Sequence, residues 1–264
     1  MKRKALVAIV PETSLENIFP PAETYSGIQF GNYHALVISN NKYRVLNRLE
    51  TAEGDARAVA KVLRDAYGFN AKLLLNATRA DLIGAMTKLR AKLTKADNLL
   101  INYAGHGEPD TIAGQDYWLP VHPEANVPAN WVSTSDITTM VRAIRAKHIM
   151  VVADSCYSGT LVCAAQTHIK TAAARRTWLS HMSKKRARTA LASGGLEPVL
   201  DGGGHSVFAK AFMDALKENK SVLDGQALFD AIKRPIVVNT DQTPQYSDIR
   251  RAGHDGGDFV FVRR

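Results

Sequence analysis

Apolar positions along this chain alternate between short β-branched runs and longer stretches at helical spacing, which is the pattern of an α/β domain. Order begins at Tyr33-His-Ala-Leu-Val-Ile-Ser39, a run that reads as a buried strand. Asp55–Tyr67 then carries apolar residues at helical spacing and stops at Gly68, a helix C-terminal signal. Ala71–Leu75 is the next strand. Thr78 caps a second helix, with Asp81 three residues on as a capping-box variant and Leu82, Ile83, Met86 and Leu89 along one face. Asn98–Ala104 forms a third strand that runs into Gly-His-Gly, and Tyr117–Val121 a short extended piece. A helix over Asp136–Arg145 leads to a fourth strand at Lys147–Ala153, which ends in Asp-Ser-Cys. A basic helix over Ala172–Arg186, a fifth strand at Thr189–Ala192, helices at Ser206–Leu216 and Gly225–Ile232, and a closing strand at Asp258–Val262 complete the pattern.

Strands alternating with helices predict a mostly parallel sheet covered on both faces. In such sheets ligands bind beyond the carboxyl ends of the strands. Gly105-His106-Gly107 and Cys156 both stand just past the ends of apolar strands. Residues 1–30, punctuated by Pro11, Pro20, Pro21 and Gly27, read as an irregular N-terminal arm, and 31–264 as one domain.

Composition narrows the classes. At 264 residues the chain fits one large α/β domain. No apolar run approaches the roughly 18–20 residues that span a bilayer, and Ala5–Val10 meets Pro11 too early for a signal peptide. The two cysteines, Cys156 and Cys163, make neither a disulfide framework nor a zinc cluster. A cytoplasmic location is therefore expected. The formal charge of +9 is uneven, since no Asp or Glu occurs from Ser155 to Leu196 while Lys170, Arg175, Arg176, Lys184, Lys185, Arg186 and Arg188 all do. Without a recognition motif or aromatic platform, this stretch reads as a solvated basic helix rather than a nucleic-acid surface.

Acyl transfer by a cysteine needs a thiolate, a proton carrier and donors for the oxyanion. Cys156 sits among small residues in Asp154-Ser-Cys-Tyr-Ser-Gly159, and His106 lies between two glycines. The N–H groups of Gly107 and Cys156 would form a two-donor oxyanion hole. The bland reading has Cys156 as a small buried hydrophobe and His106 as a structural residue, and spacing alone leaves both readings standing. Other classes fall away. Val162 stands where a cysteine phosphatase needs Arg, and neither a Gly-x-Ser-x-Gly elbow nor a Gly-x-Gly-x-x-Gly fingerprint occurs.

Tyr103-Ala-Gly-His-Gly107 together with Asp154-Ser-Cys-Tyr-Ser-Gly159 resembles the histidine and cysteine motifs of caspase-like peptidases (family C14, clan CD), in the metacaspase and bacterial caspase-homologue branch. The resemblance runs from about Phe30 to Val262 and takes in Gly54-Asp-Ala-Arg-Ala58 and Gln242-Thr-Pro-Gln-Tyr246. It implies a caspase/hemoglobinase-like three-layer α/β/α sandwich on a mainly parallel six-stranded sheet. It implies Cys156 as nucleophile and His106 as acid/base, with no third side chain demanded because an orienting backbone carbonyl would serve. It also implies an S1 pocket (the site for the residue preceding the scissile bond, P1) lined by Asp154 and Asp55 and selective for Arg or Lys. Asp55 alternatively reads as a first-turn helix residue favoured by the macrodipole.

The sequence departs from the metacaspase pattern in two places. Ala104 stands where many metacaspases have Ser, and His122-Pro-Glu124 with Asp136 is a thin substitute for a calcium-binding acidic cluster. No cofactor is expected, and calcium activation has no visible site. The expected partners are protein substrates with Arg or Lys at P1 and a regulatory protein, without membrane or nucleic acid. An enzyme of this specificity could process itself within 166–188, at Arg175, Arg176, Lys185, Arg186 or Arg188. The reading that competes with a peptidase is a non-catalytic or partner-activated interaction module of the same fold. Cys163, Trp178 and His205 read as packing or loop residues.

Overall fold

In the central strands successive side chains point into two different cores. The structure, a computed structural model, describes residues 25, 27–124, 127–155, 172–194 and 204–264. Strand β1 (Asn32–Ser39) sends Ala35 and Val37 to one face of the sheet and Leu36 and Ile38 to the other. β3 (Asp97–Ala104) and β7 (His148–Asp154) repeat this, with Leu100, Met150 and Val152 on the first face and Leu99, Ile101, Ile149 and Val151 on the second. A strand buried on both faces shows as the continuous apolar run seen in the sequence.

The first face is covered by α1 (Ala52–Tyr67), α5 (Val207–Glu218) and α6 (Gly225–Asn239). The second is covered by α2 (Arg79–Lys92) and α3 (Thr134–Ala143), giving three α/β/α layers. α1 ends on Gly68 in the left-handed conformation, and α2 opens on a complete Thr78–Asp81 capping box, as their sequences predict.

With β2 (Asn70–Leu75), β8 (Ala187–Ala192) and β10 (Gln245–Asp248), the sheet has six strands in the order β10-β8-β7-β3-β1-β2. All pairs are parallel except β10 against β8. The sixth strand is therefore the Gln-Tyr-Ser-Asp segment and not the closing apolar one. β11 (Val260–Val262) pairs instead with β9 (Val222–Asp224) in a separate two-stranded sheet. A second small sheet, β4 (Gly107–Asp110), β5 (Gln115–Trp118) and β6 (Val132–Ser133), branches off after His106.

Of the N-terminal arm, buried Tyr25 packs with Val222, Val260 and Leu179 of α4 (Ala172–Met182). The Arg175 guanidinium on α4 is ion-paired to Asp224 at 3.0 Å, with both side chains buried. No described helix is long and apolar enough to cross a membrane.

Candidate active site

The strand order reverses between β1 and β3, because β2 lies on one side of β1 and β3, β7 and β8 follow on the other. This is the switch point where open α/β sheets bind ligands, and the chain leaving β3 there carries His106. Its surroundings come from the loop after β1, residues 40–51. Asn40 fixes the root of that loop. Its N–H bonds to Ala104 O at 3.0 Å, its side-chain amide donates to Leu119 O and its side-chain carbonyl accepts from Ala77 N. Asn76, in the left-handed region at φ 52° that Asn tolerates, accepts N–H bonds from Asn41 and Lys42 and donates to Glu53 at 2.6 Å.

The loop so held delivers two groups to His106. The Tyr43 ring lies 4.7 Å from the imidazole, centroid to centroid, and its hydroxyl accepts from the His106 N–H at 2.9 Å while donating to Leu119 O. The Asn47 carbonyl lies 2.8 Å from His106 Nε2. A carbonyl oxygen only accepts, so a neutral imidazole here carries its proton on Nε2 and keeps the Nδ1 lone pair for other chemistry. The half-buried ring is thereby oriented by a backbone carbonyl, and no residue-type pattern could have announced that Asn47 supplies it.

The glycines beside His106 have separate reasons. A Cβ on Gly105 would lie 2.8 Å from both the Tyr43 and the Tyr103 hydroxyls, so it is the packing of these phenols that demands glycine there. Gly107 pairs with Trp118, and Leu119 N–H donates to His106 O. That bond makes Gly107–Trp118 a non-hydrogen-bonded pair of the ladder, so the Gly107 N–H points away from β5. The Tyr103 ring stacks on Trp118 at 4.3 Å, and its hydroxyl donates to His106 O at 2.7 Å.

On the neighbouring strand, Asp154 lies opposite Ala104, and its carbonyl accepts from Gly105 N at 3.3 Å. Cys156 follows Asp154 by two residues, the same interval that separates His106 from Ala104. Cys156 and Cys163 lie outside the described residues, which resume at 172. Ser155, the last described residue before this gap, is fully buried, and Ser193 N–H donates to Ala153 O at 3.0 Å.

Asp55 and Asp154 come together, 99 positions apart in sequence, at one serine. Asp154 Oδ2 accepts from Ser206 Oγ at 2.6 Å, and Asp55 Oδ2 accepts from Ser206 N–H at 3.1 Å. Both carboxylates are buried, at 5% and 2% exposure, a position that charges tolerate only with hydrogen-bonded compensation. Asp55 Oδ1 also contacts His205 Nδ1 in an ion-pair geometry. His205, which sequence placed among packing or loop residues, thus belongs to the acidic group. A lone histidine after a glycine run gave no periodic signal for it. Ser206 doubles as the N-cap of α5, accepting from Ala209 N–H at 3.0 Å.

The candidate processing residues divide. Arg176, Lys185 and Arg186 are exposed, whereas Arg175 is paired to Asp224 and Arg188 is fully buried. Arg188 donates to the carbonyls of Ile144, Ala146, Lys147 and Ala187, capping the C-terminal end of α3, and burial pushes its guanidinium down to about 10. Folded chain does not offer these two buried arginines to a peptidase. The acidic residues considered for calcium are otherwise engaged. Asp136 closes the α3 capping box and pairs with Arg79, and Glu124 accepts from Asn130. Among the described residues no group of three or more His, Cys, Asp and Glu could hold a metal ion.

Comparison with known proteins agrees with this architecture. The caspase-domain model of peptidase family C14 matches residues 32–252. The chain belongs to the caspase-domain family of cysteine peptidases. Its fold is similar to the crystal structure of a Geobacter sulfurreducens protein solved as a structural-genomics target, with TM-score 0.58 and 20% identity over 81% of this chain and 92% of that one. No curated protein matches the chain.

Proposed function

We propose that this chain is a cysteine endopeptidase that cleaves proteins after Arg or Lys, in regulated proteolysis within a reducing, cytoplasmic compartment. The Cys156 thiolate attacks the scissile carbonyl, and the oxyanion is met by the N–H groups of Gly107 and Cys156. His106, its Nε2–H held by the Asn47 carbonyl, takes the thiol proton on Nδ1 and returns it to the departing amine. The C–N bond breaks as the thioester forms, and water then releases the acid and restores the thiol.

The observation that carries this reading is the convergence of Asp55 and Asp154 on Ser206, at the sheet edge where His106 also stands. Two buried carboxylates in one place form a receptor for a guanidinium or ammonium group and repel an acidic P1 side chain. The equal two-residue offsets of His106 and Cys156 from the paired Ala104 and Asp154 support the dyad.

Labelling with an arginyl acyloxymethyl ketone tests the proposal. The expected result is one covalent adduct, mapped by mass spectrometry to Cys156 and absent in His106→Ala. Failure to label, with an aspartyl reagent reacting instead, would reverse the assigned specificity. Failure of both reagents would leave the interaction-module reading.

A further inference from the structure

We infer that His205 is a specificity-determining residue of this pocket, an internal partner that occupies Asp55 Oδ1 and competes there with the P1 side chain of a substrate. The inference rests on the reading of Asp55 and Asp154 as the P1 receptor. Asp55 has two carboxylate oxygens, and both are committed: Oδ2 to the Ser206 N–H and Oδ1 to His205 Nδ1. The side chain of His205 is 41% exposed and that of Asp55 only 3%. The histidine is the solvent-side member of the pair and covers the acid. A guanidinium that engages a carboxylate bidentately uses both oxygens, so on Asp55 it has to share Oδ1 with His205 or displace it.

An imidazole N–H that donates to an ionised carboxylate makes a charge-assisted hydrogen bond. His205 and a cation at P1 therefore compete for one oxygen. The charged groups that stand near this pair along the elements that meet here are few. Helix α1 brings Glu53, which accepts from Asn76, together with Asp55 and Arg57. β7 brings Asp154, bridged through Ser206, and α5 brings Lys210, which is paired with Asp214. Glu197 and Asp201 lie outside the described residues.

The sign of the KM change separates this role from a merely structural one. His205→Ala should lower KM for an arginyl peptide by about tenfold, the value of one charge-assisted hydrogen bond, with the change in KM rather than kcat. His205→Asn keeps a donor near the Nδ1 position and should leave KM close to the wild-type value. A rise of KM in His205→Ala would overturn the inference and make His205 a support for Asp55. A wild-type chain that cleaves no basic peptide would instead count against the proposed function. Calorimetry with agmatine as a guanidinium probe then decides separately, because His205→Ala should bind it about tenfold more tightly than wild type, and equal or absent binding in both would refute the competition.

Discussion

Ser206 donates its hydroxyl to Asp154 at 2.6 Å, and the same oxygen accepts the Ala209 N–H that begins α5. One side chain therefore couples the start of a helix to a carboxylate at the end of β7. Ser206→Ala removes the cap and strands part of a buried carboxylate, at a cost of about 1–3 kcal/mol. Urea denaturation should show this loss, and KM for arginyl peptides should rise because Asp154 is no longer held. Ser206→Thr, which keeps the hydroxyl, should recover most of both.

The Tyr43 hydroxyl stands between His106 N–H and Leu119 O, completing a rung that the β4–β5 ladder lacks at this point. Tyr43→Phe leaves those two groups without that bridge and loosens the segment that carries the imidazole. An apparent loss of about 1–3 kcal/mol should appear as a fall in kcat of roughly tenfold or more, with KM changed less. Stopped-flow or steady-state kinetics on one arginyl substrate would check it, and an unchanged kcat would remove Tyr43 from the positioning account.

Much of this arrangement is legible in the sequence, for identifiable reasons. β1, β3 and β7 are buried on both faces, so their apolar runs are continuous, and the capping box at Thr78–Asp81 sits where its spacing predicts. β10 escapes notice because an edge strand reading Gln-Tyr-Ser-Asp needs no apolar run, and β4 because Glu108-Pro-Asp resembles a turn. α6 continues to Asn239 although Pro235 signals an earlier stop. Within the site, His106, Asp154 and Asp55 are visible as residue types beside strand ends and a helix start. Asn47 acts through its backbone, and His205 is recognisable only once the fold brings α5 against α1.

Arg175 and Asp224 form a buried ion pair that docks α4 against β9. Removing one member of such a pair strands the other, so Arg175→Ala should lose about 3–5 kcal/mol on chemical denaturation, while the exposed Arg176→Ala should stay within about 0.5 kcal/mol. The same geometry constrains self-processing. If active enzyme cuts its own basic segment, intact-mass and peptide mapping should find new ends at Arg176, Lys185 or Arg186, and none at Arg175 or Arg188. Early cleavage at either buried arginine would mean that this region opens in the active protein.

Asp258 is buried with its carboxyl bonded to the Tyr246 hydroxyl, and burial, followed by the negative Asp224, pushes it up to about 7. Between roughly pH 4 and 7 the folded chain keeps a proton that the unfolded chain has released, so this group's contribution to stability is present at low pH and is lost as pH rises through that window. His148 acts in the opposite sense, because burial and the Lys147 charge hold it down at about 4, and stability is lost as pH falls. The difference between variants isolates the first effect. Stability of wild type minus that of Asp258→Asn should decline from pH 4 to 7 in urea titrations, and a constant difference would contradict the assignment.

The most direct test of the central claim is cleavage of matched fluorogenic peptides ending in Arg, Lys or Asp, with Cys156→Ala as the control. The account predicts release after Arg and Lys, none after Asp, and none from the alanine variant with any substrate. Release after Asp alone, or release that survives Cys156→Ala, would contradict it.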